Sequence, residues 1–212
     1  MSLRCPRFQH RSGAMLFAPT ALLIVLAVLP GPVAATVAEP RVFGKPPTGE
    51  ALQTLRRYIH ETAREEQVDA FELDALPRLE SNYVNALGAA GELSPFQIMP
   101  DQAKRLFQLP DASYLWDIRV STRVAARLWR HGLSLWRAEF AAAGSNTCLR
   151  RAGWKGPLTQ AAFGAMVWNY GRTAAILRHA ANLRLARLPT SVCEYAVRFE
   201  RSLREVRRLG AP

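Results

Sequence analysis

Apolar positions recur at three- and four-residue steps through most of the chain beyond residue 48, the period of helices that bury one face. Thr48 stands where a cap belongs, and Leu52, Leu55, Ile59 and Thr62 follow as a stripe, with residues 61–67 as its polar end. Asp69 can cap a second helix whose apolar positions are Phe71, Leu73, Leu76 and Leu79 and whose end is Glu80-Ser81. Pro77 is a misfit there, because proline inside a helix removes a donor and tends to kink the chain. Either this helix bends at Pro77 or it starts later. Residues 82–93, rich in Asn, Gly and Ala, carry no stripe and predict a loop with room for a small β-hairpin. Pro100 suits the first turn of a short helix over 100–108, with Asp101 near its positive end, and Leu109-Pro110-Asp111 ends it.

The longest amphipathic pattern runs over 116–136, through Ile118, Val120, Val124, Leu128, Trp129, Leu133 and Trp136. Arg119, Arg123, Arg127 and Arg130 fall mostly on its other faces. Residues 144–157 predict a continuous loop. Residues 158–167 are apolar almost all round, as a buried helix is. Trp168-Asn169-Tyr170-Gly171 interrupts that pattern, and 173–185 is helical again. Pro189-Thr190 opens the last helix, with Val192, Tyr195, Val197 and Phe199 inside and many arginines outside. Strand signals are scarce and no repeat is present, so the pattern predicts a mostly α fold: a compact helical domain with a cleft.

The N-terminus reads differently. Arg4, Arg7, His10 and Arg11 precede an apolar run over 15–29, Pro30-Gly31-Pro32 breaks it, and Val33-Ala34-Ala35 and Thr36-Val37-Ala38 follow. A basic start, an apolar run and small residues make a secretory signal peptide. Exit after Ala35 and after Ala38 both fit, and the run is short for a membrane span, so the leader attaches the chain to a membrane only if it is retained. The expected organisation is a leader over 1–38, a Pro/Gly linker over 39–48, one catalytic-sized domain over 49–208 and a tail over 209–212.

The formal charge is +11, of which the three leader arginines supply three, so +8 remains beyond it. Such a surface favours anionic partners, among them wall polymer, membrane and nucleic acid. Export removes nucleic acid from that set. Of three cysteines, Cys5 goes with the leader, leaving Cys148 and Cys193, an even count that can pair in an oxidising compartment or stay as two buried thiols. The four histidines form no cluster and the cysteines lack metal-ligand spacing, so no metal and no cofactor is expected.

Chemistry concentrates around residue 80. Glu80 closes an apolar helix, a loop follows, and Gln97 lies in the apolar run that ends at Pro100. A carboxyl group at such a helix end can be half buried, which raises its pKa and keeps it protonated near neutral pH, as a general acid in a sugar-cleaving cleft requires.

Three segments carry a family resemblance: Ala75…Glu80-Ser81, Ser94-Pro95-Phe96-Gln97-Ile98-Met99-Pro100 and Val167-Trp168-Asn169-Tyr170-Gly171. Their order and separation resemble the signature segments of the soluble lytic transglycosylase family, in the lysozyme-like superfamily, over roughly residues 50–200 of this chain. Ser94 stands where the family has Gly, Pro95-Phe96 where it has Leu-Met, and Glu92 where it has Ala.

The resemblance implies a lysozyme-like helical domain that cleaves the β-1,4 bond between N-acetylmuramic acid and N-acetylglucosamine in the periplasm. Glu80 would act first as acid and then as base on the sugar's own 6-hydroxyl, giving a 1,6-anhydro product without consuming water. By position, Ser81 would orient Glu80, and Gln97 and Asn169 would meet acetamido and hydroxyl groups. Met99 would join the substrate contacts, and Trp168, Tyr170 and Tyr195 would supply ring faces or hydrogen bonds to the acid. Glu92 stands either as a loop charge paired with an arginine or as a second carboxylate that activates water, in a lysozyme-type hydrolase. A non-catalytic wall-binding protein is the reading from another class. Small size suggests service to a secretion, conjugation or pilus machine.

Overall fold

The computed structural model describes residues 45–136, 146–170 and 188–212, with side chains at all of these except 106 and 146–148. These residues are mostly helical, and among them no helix is long and apolar enough to cross a membrane. Seven α-helices follow in order: α1 (Gly49–Glu65), α2 (Ala70–Ser81), α3 (Pro100–Phe107), α4 (Ile118–Ser134), α5 (Asn146–Arg151), α6 (Gln160–Tyr170) and α7 (Thr190–Leu209). A 3-10 turn, Ala112–Trp116, leads into α4.

Local chemistry sets the boundaries. Asp69 Oδ1 accepts from the backbone N–H of Glu72 at 2.9 Å and so starts α2. Asp117 Oδ1 accepts from the N–H of Arg119 at 2.7 Å and starts α4. That cap moves the start of the long amphipathic helix from the expected Trp116 to Ile118, and Trp116 belongs to the 3-10 turn instead. Thr159 Oγ1 accepts from the N–H of Ala162 at 2.9 Å at the head of α6.

Two further expectations change. Residues 146–151, read as loop, form α5. Trp168, Asn169 and Tyr170, read as an interruption, continue α6 as its last turn. An all-round apolar helix has no stripe whose loss marks its end, so polar Asn169 reads as a break while the backbone runs on. The helix expected over 173–185 lies outside the described residues, as do the leader and most of the linker.

Pro77 neither ends α2 nor delays it. The helix runs from Ala70 to Ser81 with Pro77 buried inside. Ser202 Oγ on α7 donates to the carbonyl of Ala75 at 3.1 Å and so ties α7 to this part of α2. Asn82 and Tyr83 then take left-handed conformations (φ 52° and 65°), and the Tyr83 N–H returns to the carbonyl of Pro77 at 2.9 Å. The expected hairpin shrinks to one antiparallel bridge, Leu93 with Ile98, and no strand forms among the described residues.

The core gathers where α2, α4, α6 and α7 meet. Trp129 of α4 is fully buried there, with ring centres 5.0 Å from Phe199 and 6.4 Å from Trp168. Beneath α2 lies a polar knot that helical periodicity does not reveal. Asp74, with no exposure, accepts from Arg56 Nε at 2.8 Å and from the Tyr83 hydroxyl at 2.9 Å, and pairs with His60 Nε2 at 3.1 Å. Arg56 also donates to the carbonyl of Gly210 at 2.8 Å, which fastens the end of α7 to α1. Arg123, Arg127 and Arg130, expected on outer faces of α4, reach across to Glu65 and Glu66 at the end of α1. Cys193 is disulfide-bonded; the side chain of Cys148, its expected partner, lies outside the described residues.

Candidate active site

Glu80 occupies the last turn of α2, where the helix meets the loop over 84–98. Among the described residues one of its oxygens is held and the other is not. Oε1 accepts from Trp168 Nε1 at 2.9 Å and from the Tyr195 hydroxyl, while Oε2 has no hydrogen-bond partner among the described residues. Burial raises the Glu80 pKa. The bonds from Tyr195 and Trp168 and the charge of Arg198 oppose that rise, and the Glu92 carboxylate reinforces it. A carboxyl group gripped by one oxygen and raised by burial can carry a proton and release it through the other.

The two donors come from different helices. Trp168 sits in the last turn of α6, and its ring packs edge-on against Trp129. Tyr195 lies in the first half of α7 with only 2% of its surface exposed. Burial, and then the neighbouring charge of Glu80, hold the Tyr195 hydroxyl well above its ordinary pKa, so it stays a donor at any working pH. Tyr195 therefore supports the acid from behind and offers no ring face to a sugar.

The cleft in front of Glu80 has a volume of about 140 Å³, and its walls include Glu92, Gln97, Met99, Trp168 and Asn169. The Gln97 amide orientation is set by its own loop, because Nε2 donates to the carbonyls of Ser94 at 2.8 Å and Ala86 at 3.1 Å. Only Oε1 is then left to act, as an acceptor. Glu92 Oε2 accepts from the N–H of Ala90 at 2.9 Å. Among the described residues no arginine or lysine pairs with it, so the expected loop ion pair does not form there. Both oxygens crowd the Cα of Gly88, where a Cβ would lie 2.3 Å from Gln97 Oε1 and 2.3 Å from Glu92 Oε2. The loop closes this tightly because position 88 has no side chain.

Among the described residues no hydrogen bond joins the Ser81 hydroxyl to the Glu80 carboxyl group. Its hydroxyl donates to the carbonyl of Pro95 at 2.9 Å and so ties the end of α2 to the 93–98 turn. That turn needs left-handed backbone at Ser94 (φ 75°) and Gln97 (φ 49°), a geometry glycine adopts more readily than serine. Met99 is 40% exposed at the rim, and Asn169 is exposed as well. Tyr170 is half-buried against the core and does not line the cleft.

Helical periodicity does not reveal the cleft floor, where Gly132 of α4 approaches Gly164 and Val167 of α6. A Cβ at Gly164 would lie 3.0 Å from Leu133 Cδ2 and 3.1 Å from Trp129 Cη2, so glycine lets the two helices close beneath Trp168. Among the described residues no group of His, Cys, Asp and Glu is disposed to hold a metal ion. No family model matches the chain, and no curated protein and no solved structure is detectably similar to it.

Proposed function

We propose that the protein is a periplasmic lytic transglycosylase of lysozyme-like fold that cuts the β-1,4 bond between N-acetylmuramic acid and N-acetylglucosamine in peptidoglycan strands. The observation that carries this reading is the half-buried carboxyl group of Glu80, held through Oε1 by Trp168 and Tyr195 at the wall of a cleft, with no partner on Oε2 among the described residues. The three sequence segments that resemble the family supply Glu80, Gln97 and Trp168 to that one place. The leader supports the compartment.

Cutting a glycoside needs a proton on the leaving oxygen and support for an oxocarbenium-like centre. Glu80, protonated, delivers the proton from Oε2. Trp168 and Tyr195 then hold the carboxylate that remains, and it takes the proton of the sugar's 6-hydroxyl as that oxygen attacks the anomeric carbon. An intramolecular nucleophile gains from proximity what water lacks. Gln97 Oε1 and Asn169 face the sugar's hydroxyl and amide groups, and Met99 lines the rim.

A second reading has its own observation. Glu92 lines the same cleft with no cationic partner among the described residues, so it can activate water as the base of a muramidase. Mass analysis of soluble fragments from purified peptidoglycan decides between them. Anhydro ends that Glu80→Gln abolishes support the transglycosylase. Reducing ends with an added water, lost in Glu92→Gln, support the hydrolase. Binding to peptidoglycan without any product supports the wall-binding protein.

A further inference from the structure

The loop over 86–97 brings two polar side chains to the wall of the cleft, Glu92 and Gln97, and both can only accept. The Nε2 hydrogens of Gln97 are spent on the carbonyls of Ser94 and Ala86, which leaves Oε1. Glu92 is held in place through Oε2, which accepts from the Ala90 N–H, and its Oε1 has no hydrogen-bond partner among the described residues. The two groups stand together, since a Cβ on Gly88 would meet Gln97 Oε1 and Glu92 Oε2 at 2.3 Å each. The polar side chains on the other walls that can donate, Gln102, His131 and Asn169, belong to α3, α4 and α6. Among the described residues no lysine or arginine lines the cleft, although arginines pair with Glu65, Glu66 and Glu205 elsewhere.

Two acceptors this close call for a donor that can serve both. A sugar hydroxyl has one hydrogen to give, so its lone pairs face the second oxygen. An acetamido N–H also has one, and it brings a carbonyl oxygen toward a carboxylate. An ammonium has three hydrogens and the charge opposite to that of Glu92. Its bonds to a carboxylate run about 2.7–2.9 Å, which lets one nitrogen reach two neighbouring oxygens.

We propose that Glu92 is a specificity-determining residue that, together with Gln97 Oε1, receives a protonated amine of the substrate in the cleft beside Glu80. This rests on the transglycosylase reading, under which Glu92 is not the base that activates water. Two sources in peptidoglycan share that chemistry: a glucosamine that has lost its N-acetyl group, and the side-chain amine of a diamino acid in an attached peptide.

The test compares two pairs of strands. One pair is stripped of peptide by an amidase, with its glucosamine either N-acetylated or enzymatically de-N-acetylated. The other pair has N-acetylated sugars and carries peptides, with the peptide amines either free or blocked by acetic anhydride. For the unsubstituted protein, the free amine in one pair raises kcat/KM about tenfold, mostly through KM, as gain of a charged hydrogen bond does. The pair that shows the rise identifies the source. A net charge of +8 beyond the leader repels a cationic strand, so this preference runs against the charge of the whole surface and belongs to the cleft. Glu92→Gln keeps an acceptor for the Ala90 N–H and cuts both members of each pair equally, and Glu92→Asp keeps part of the discrimination. Glu92→Gln discriminating as well as the unsubstituted protein overturns the proposal, and so does an unsubstituted protein indifferent to the amine in both pairs. Failure of the underlying reading looks different, since then no strand yields anhydro ends with any of the proteins, and the proposal falls with it. An unchanged melting temperature shows that Glu92→Gln is folded; if it drops, the comparison is made with Glu92→Asp, whose discrimination must then lie below that of the unsubstituted protein.

Discussion

Two donors converge on Oε1 of Glu80 and, among the described residues, none on Oε2, and this asymmetry bears on both the role proposed for the residue and what it costs. The folded-state pKa is raised, so the carboxyl group contributes its full stability below its unfolded value, near 4.5, and loses it as pH rises through the folded value. At pH 7 the ionised group is a liability that a neutral amide lacks. Glu80→Gln should therefore abolish anhydro-product formation yet raise the melting temperature at pH 7 by roughly 2–4 °C. At pH 4 the two proteins should melt together. A melting curve at each pH checks this, and equal melting temperatures at pH 7 would remove the burial argument. The donors act in the opposite sense. Tyr195→Phe removes a bond that favours the ionised form, so the basic limb of the pH–rate profile should move to higher pH while kcat falls about tenfold. A limb that stays in place would mean that Tyr195 does not govern the acid. Glu80 and Gln97 were legible because polar groups beside apolar runs at a helix end suit a cleft, whereas Glu92, Met99 and Asn169 were legible only through the segments that resemble a family. The sequence did not separate the roles of Ser81 and Tyr195, whose partners are fixed by folding: Pro95 lies 14 residues from Ser81 and Glu80 lies 115 from Tyr195. Gly88 and Gly164 were not legible at all, because what a glycine permits depends on what comes close to it.

Helices with one apolar stripe were legible, and the rest were less so. α1, α2, α4 and α7 stand close to where three- and four-residue spacing predicts them. α5 has too few residues to display a stripe, and α6 is apolar all round, so periodicity marks neither its start nor its end. The same rule hides the knot beneath α2. Arg56 and His60 look like outer positions of α1 and are buried because Asp74 waits on the facing helix. Asp74→Ala leaves the Arg56 charge, 1% exposed, with only the Gly210 carbonyl as partner among the described residues. Breaking a buried pair in this way costs about 3–5 kcal/mol, a large share of the roughly 5–15 kcal/mol that holds a domain together. The urea midpoint should fall to match, and since Tyr83 also loses its acceptor, the turn after Glu80 should loosen. Retention of the original midpoint would show that Arg56 finds water instead.

At the scale of the whole molecule, charge bears on how the protein would meet the anionic polymer proposed as its substrate. The net charge is +11, and +8 remains beyond the leader arginines. Part of the arginine content is spent internally, with Arg123, Arg127 and Arg130 held by Glu65 and Glu66, and Arg78 by Glu205. What is left, Arg198 and Arg201 on the outer face of α7 among it, can attract an anionic polymer from a distance, and salt should screen that attraction. The screening length shrinks from about 8 Å at physiological salt to about 3 Å at 1 M, shorter than the gap across a solvated contact. Retention of Glu80→Gln on purified peptidoglycan, where no cutting confuses the reading, should fall at least about tenfold between those conditions. The contacts proposed for Gln97 and Asn169 in the cleft are uncharged, so the per-encounter rate on short strands at saturating concentration should change little over the same range. Retention that survives 1 M salt would shift the weight of binding from the basic surface to the cleft.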